Sequence, residues 1–123
     1  MNCKVLIADD EPNILVSLEF LMKGEGYDVS IARDGEQALD AIRHLRPDLV
    51  LLDVMMPLRS GLEVLQAVRA DEAIAQTRIL LLTAKGRETD IAKGLALGAD
   101  AYVTKPFSTR ELAERVRRML SPP

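Results

Sequence analysis

Five polar residues stand at the ends of four short apolar runs, and their types suit them to chemistry on an anion. Val5–Ala8 leads into Asp9 and Asp10, Leu49–Leu52 into Asp53, Ile79–Leu82 into Thr83, and Ala101–Thr104 into Lys105 and Pro106. Gathering three carboxylates is unfavourable unless positive charge sits among them. A hard divalent cation meets that need, since Mg²⁺ takes oxygen ligands, keeps several waters and needs only one or two carboxylates. His44 is the only histidine and Cys3 the only cysteine, so no soft cluster offers itself to zinc. Lys105 adds a second positive charge, for a carboxylate or for a bound anion. A carboxylate beside such charges can attack a phosphoryl group and carry it as an acyl phosphate, while the cations neutralise the transferred oxygens. Thr83 would donate a hydrogen bond to that group, and backbone N–H groups after Asp53 would help to cradle it.

These residues act together only if the chain brings the run ends together. Runs so short and so apolar read as fully buried parallel strands. In open parallel α/β sheets, sites form just beyond the carboxyl ends of the strands. A further strand is predicted over Tyr27–Ala32. Amphipathic stretches alternate with the strands. Pro12 sits in a first helical turn, Ile14, Leu15, Leu18, Leu21 and Met22 follow at helical spacing, and Gly24 closes the helix. Asp34 with Gln37, Ser60 with Glu63, and Ser108 with Glu111 read as capping boxes for three more helices. Pro47 stops the first of these. The stretch Arg87–Leu97 is the weak helix, because Gly86, Gly94 and Gly98 flank or interrupt it and each interior glycine costs about 1 kcal/mol relative to alanine. It is either a mobile switch surface or a helix whose Gly94 permits close packing on the sheet. The sum is five βα units, a three-layer α/β domain around a parallel sheet.

Composition removes several alternatives. At 123 residues the chain reads as one domain, over 1–121, with 122–123 either its C-terminal end or the start of a linker. Only 3% of residues are aromatic, too few to sandwich a flavin. The formal charge of −3 counts against a nucleic-acid surface. No apolar stretch approaches the roughly 20 residues of a membrane span, no signal-peptide pattern opens the chain, and a single cysteine suits the cytoplasm. The phosphate loop GxxxxGK[ST], the dinucleotide motif GxGxxG after the first strand and the nucleophile motif GxSxG are missing, which counts against a nucleotide hydrolase, a dinucleotide enzyme and a serine hydrolase.

Over essentially its whole length the chain resembles a receiver domain of a two-component response regulator. The resemblance rests on Val5–Pro12, Asp48–Pro57, Leu81–Ala84 and Gly98–Phe107, in this order and at these separations. It implies the flavodoxin-like strand order 2-1-3-4-5, which sets Asp9 and Asp10 beside Asp53. It implies Asp53 as phosphoacceptor, with Asp9, Asp10, Asp53 and the backbone carbonyl of Met55 holding Mg²⁺, or Mn²⁺ in its place. Thr83 falls on the phosphate-reading hydroxyl, Lys105 on the family's lysine, and Tyr102 on the aromatic that swings with the hydroxyl. The Lys105–Pro106 peptide is expected to be cis. The implied donor is a histidine kinase or a histidine phosphotransfer protein, and water later removes the group. The implied role is a signalling switch, in which the fourth helix, fifth strand and fifth helix change their partners. No nucleic acid or membrane is implied for this domain, and the downstream output is not specified. A small-molecule phosphatase or phosphotransferase on the same fold is the alternative. Met55 and Lys85 fall where the family tunes the lifetime of its phosphoryl group.

Two departures stand out. Leu58-Arg59-Ser60-Gly61 replaces a turn that in the family more often reads Gly-Met-Asp-Gly. Asp100-Ala101 stands where many DNA-binding members carry two acidic residues. Lys93, Glu111 and Arg115 still resemble the family's dimer surface, so a phosphorylation-dependent homodimer is among the expectations.

Overall fold

The computed structural model describes residues 2–121, so the segment 122–123 lies outside the described residues. Strands β1 (Lys4–Ala8), β2 (Asp28–Ala32), β3 (Leu49–Asp53), β4 (Arg78–Ala84) and β5 (Ala101–Lys105) alternate with helices α1 (Pro12–Gly24), α2 (Gly35–Leu45), α3 (Gly61–Ala70), α4 (Glu88–Ala96) and α5 (Thr109–Leu120). All strand pairs are parallel, in the order β2-β1-β3-β4-β5 that the resemblance implied. Tyr27 falls just before β2 rather than within it.

Alternation along the strands builds two cores, one on each face of the sheet. Val5, Ile7, Leu49, Leu51, Leu80 and Leu82 pack with Leu15, Leu18 and Met22 of α1 and with Leu112 and Val116 of α5. Leu6, Ala8, Val50, Leu52, Ile79 and Leu81 face Ala38, Leu39 and Ile42 of α2 and Val64, Leu65 and Val68 of α3. A strand buried on both faces has no polar positions to spare, which is why these runs read as uninterrupted apolar segments.

Side-chain caps fix where the helices begin. Ser60 accepts from the N–H of Glu63, whose carboxylate accepts in turn from the N–H of Ser60, so this capping box is complete. Asp34 accepts from the N–H of Gln37 at 2.8 Å, but Gln37 reaches past the cap to the N–H of Arg33. Ser108 accepts from the N–H of Glu111 at 3.2 Å. Pro12 occupies the first turn of α1, where its missing N–H costs nothing.

At the amino ends of the strands, Arg69 joins three elements. Its Nε donates to the carbonyl of Gly98, and one terminal nitrogen donates to the carbonyls of Ala75 and Thr77. The other terminal nitrogen lies 3.0 Å from Asp100 Oδ2, which also accepts from the N–H of Ile79 at 2.8 Å. The end of α3, the start of β4 and the turn into β5 are thereby held together.

Helix α4 is attached differently from the rest, with Gly94 its only buried residue. A Cβ at Gly94 would run into the Cδ1 of Leu81, itself 1% exposed, so the glycine lets this helix lie on the sheet. Close packing is therefore the reading of Gly94 that the structure supports. Gly94→Ala should cost about 1–3 kcal/mol through overpacking, only partly offset by better helix propensity. Urea unfolding measures this, and an unchanged or raised midpoint would mean that α4 does not rest on Leu81.

Candidate functional site

The carboxyl ends of β1, β3 and β5 bring Asp9, Asp10, Asp53 and Lys105 together. Asp9 is fully buried and continues the β1–β2 ladder, its N–H donating to the carbonyl of Ala32. Its Oδ1 accepts from the N–H of Glu11 at 3.0 Å and its Oδ2 from Lys105 Nζ at 2.8 Å. Asp53 closes β3, is 4% exposed, and has Lys105 Nζ 3.4 Å from its Oδ1. Asp10 is exposed. One carboxylate oxygen from each of Asp9, Asp10 and Asp53 lies within 4.8 Å of the others.

The loop after β3 is held close to Asp53. The N–H of Met55 turns back to Asp53 Oδ1 at 3.4 Å, and the N–H of Gly61 donates to the carbonyl of Val54 at 2.8 Å. Any Cβ at Gly61 would collide with the Asp53 carbonyl, so α3 can begin this close only with glycine there. Leu58, in the departing turn, has a φ of 68° and a side chain 71% exposed. The left-handed conformation costs a non-glycine residue roughly 1–2 kcal/mol.

Thr83 lies one residue beyond Leu82, the register partner of Asp53. It is buried, and its Oγ1 has no hydrogen-bond partner among the described residues. A buried hydroxyl without a partner is costly, and this one leaves its donor unused among the described residues. Tyr102 is set apart from the acidic cluster. Its register partner is Leu81, Thr104 stands opposite Thr83, and the ring is partly exposed at the edge of the sheet. The Lys105–Pro106 peptide is cis.

The charges explain one another. Burial of Asp53, and then the nearby charge of Asp9, push its carboxyl up to about 7, against the pull of Lys105 and the Met55 N–H. Burial alone would lower the Lys105 ammonium. The hydrogen bond to Asp9 and the charges of Asp53, Asp9 and Glu11 outweigh it and hold Lys105 above the usual lysine range. A donor set made only of oxygens, with crowded negative charge, fits a hard dication.

Three residues at this site were not singled out in the sequence. Glu11 Oε1 lies 3.5 Å from Lys105 Nζ, making a further acidic neighbour, and its place directly after the aspartate pair was the available signal. Gly61 sets the approach of α3. Arg87 reaches from the start of α4 to Met55, its terminal nitrogen 3.4 Å from Sδ. His44 is exposed on α2, with Nδ1 against the carbonyl of Asp40, and plays no part here.

A family model described as the response regulator receiver domain matches residues 5–117. The DNA-binding response regulator MtrA of Mycolicibacterium smegmatis is 46% identical over 120 residues, which are 98% of this chain and 51% of that protein. The chain thus spans about half the length of that relative. Among solved structures, a response regulator receiver domain from Francisella is 35% identical with a TM-score of 0.88, covering 96% of both chains. The chemotaxis response regulator CheY4 of Vibrio cholerae is 33% identical with a TM-score of 0.90, covering 98% of this chain and 100% of that one.

The raised Asp53 carboxyl has a consequence for stability. The folded chain holds this proton more tightly than the unfolded chain, where the ordinary value is 3.8. The resulting stabilisation is complete below about pH 4 and is lost as the pH rises through about 7. Asp53→Asn never ionises. In thermal unfolding without divalent cations it should gain on the wild type between about pH 5 and pH 8, by on the order of 1–3 kcal/mol. A gap that stays constant over that range would show that Asp53 titrates like a surface acid.

Proposed function

The chain belongs to the family of response regulator receiver domains, and from that premise we propose that it takes a phosphoryl group onto Asp53. It is a signalling component of a two-component system. The observation that carries the assignment is the unpartnered, buried Thr83 hydroxyl one strand away from a buried Asp53.

The donor is a phosphohistidine on a histidine kinase or a histidine phosphotransfer protein. An Asp53 carboxylate oxygen attacks phosphorus, the phosphorus–nitrogen bond breaks, and the imidazole leaves with that electron pair. Asp9, Asp10, Asp53 and the backbone carbonyl of Met55 would hold Mg²⁺, with Mn²⁺ a substitute, and the ion would supply positive charge to the transferred oxygens. Lys105 already sits between Asp9 and Asp53, so it needs only a small shift to follow charge from the carboxylates to the phosphoryl group. Thr83 donates its hydroxyl to a phosphoryl oxygen and so moves inward. Tyr102 follows it from the sheet edge, and the faces of α4, β5 and α5 change with it. Water attacking phosphorus later breaks the bond to Asp53 and returns the carboxylate. The small-molecule phosphatase alternative is not favoured.

Exposed apolar side chains on α1 and on the loop after β3 suit docking of the donor. Val16 and Phe20 of α1 are 68% and 81% exposed, and Met55 is 56% exposed. We place this exchange in the cytoplasm. No helix among the described residues is long and apolar enough to cross a membrane. On the output side, Lys93, Glu111 and Arg115 are exposed and available to a phosphorylation-dependent homodimer. Asp100 is less so, because Arg69 and the Ile79 N–H already hold its carboxylate. The likeness to MtrA, a DNA-binding protein of about twice the length, supports a reading in which any DNA contact lies outside this domain.

Incubation with Mg²⁺ and acetyl phosphate should add one phosphoryl group, removable by hydroxylamine and read by intact mass. EDTA should prevent the addition, and Lys105→Ala should slow it on the order of 100-fold. Asp53→Asn should take up none. Equal uptake by that variant would overturn the assignment.

A further inference from the structure

Arg87 is an arginine in the wrong place for its helix. It is the residue before α4, where the positive end of the helix dipole disfavours a cation. Its side chain makes no capping bond. Instead it pairs with Asp90 in the first turn of α4, whose Oδ2 lies 2.5 Å from both Nε and one terminal nitrogen, and that same terminal nitrogen lies 3.4 Å from Met55 Sδ. Met55 stands two residues past Asp53, and Arg87 four residues past Thr83. The guanidinium therefore bridges the two loops that leave the strands at the phosphoacceptor and at the buried hydroxyl.

The acceptors around that guanidinium are unequal. Asp90 Oδ2 is a charged acceptor for Nε and for one N–H of that terminal nitrogen, whereas the nitrogen's second N–H has only the thioether, a weak acceptor. A phosphoryl group on Asp53 would bring about −1.5 to −2 charge and three strong acceptor oxygens to the same loop. Guanidinium binds such oxygens in charge-assisted hydrogen bonds of a kind a thioether cannot offer.

We propose that Arg87 is a positioning residue for the phosphoryl group, exchanging the Met55 thioether for a phosphoryl oxygen and drawing the start of α4 toward the β3–α3 loop. The proposal rests on Asp53 as the phosphoacceptor. It gives the site a second reader of the new charge besides Thr83, and this one is attached directly to α4.

Trifluoroberyllate, a phosphoryl mimic that binds without covalent transfer, tests this in the presence of Mg²⁺, with affinity read by calorimetry and occupancy by ¹⁹F NMR. Arg87→Ala should bind about threefold to tenfold more weakly than the wild type, with a shallower dependence on ionic strength. Arg87→Lys should recover part of the affinity and the salt dependence. Asp90→Asn, which frees Arg87 from its carboxylate, should bind as tightly as the wild type or more tightly. Equal affinities and equal salt slopes for the wild type and Arg87→Ala would overturn the proposal. So would equal weakening in Asp90→Asn and Arg87→Ala, which would mean that the pair merely shapes the loop. A wild type that neither binds the mimic nor gains a phosphoryl group on Asp53 would instead bring down the phosphoacceptor reading, and this proposal with it.

Discussion

Mutual repulsion among carboxylates held at the end of a buried sheet is the constraint on which the rest of this molecule depends. Asp9 and Asp53 have almost no contact with solvent, and nothing in the apolar strands behind them can neutralise their charge. Lys105 offsets part of it by lying between them, and Asp53 meets the remainder by holding its proton toward neutrality. A site in this condition favours incoming positive charge and responds to any group that redistributes negative charge. The two apolar cores serve that end, because they keep the strand ends in register and leave the carboxylates no route to water except through their own cleft.

The part of this arrangement that is legible in the sequence is the part governed by local rules. Strands covered on both faces must be apolar throughout, so the polar residue that ends each run announces itself, and Asp9, Asp53, Thr83 and Lys105 were all found this way. Ser60 with Glu63 and Asp34 with Gln37 are equally local, since a helix start needs an acceptor three residues before a free N–H. That Asp9 and Asp10 adjoin Asp53 is not local. It depends on strand order, which came from the family resemblance and not from periodicity.

Contacts between side chains far apart in the chain left no such trace. Arg87 and Met55 are 32 positions apart, and Arg69 and Asp100 are 31, so neither pair shares a helix face or a strand period. Asp100 stands where many DNA-binding members carry an acidic pair, and here the fold ties its still exposed carboxylate to Arg69 and the Ile79 N–H. Gly94 was ambiguous for a related reason. A glycine in a helix looks the same whether it loosens the helix or admits a neighbour, and only the position of Leu81 decides between them.

The Arg69 cluster makes the sheet unequal along its length. Strands β4 and β5 are fixed where they begin, through the carbonyls of Thr77 and Gly98 and the carboxylate of Asp100. They carry Thr83, Tyr102 and Lys105 toward the other end, where Lys105 meets Asp9 and Asp53. Each strand is in effect a beam clamped at its root, with the charged groups at its far end. A small force at the tip bends such a beam without sliding it. The clamp therefore holds the strand pairing, and with it the register of both cores, against a pull at the charged end.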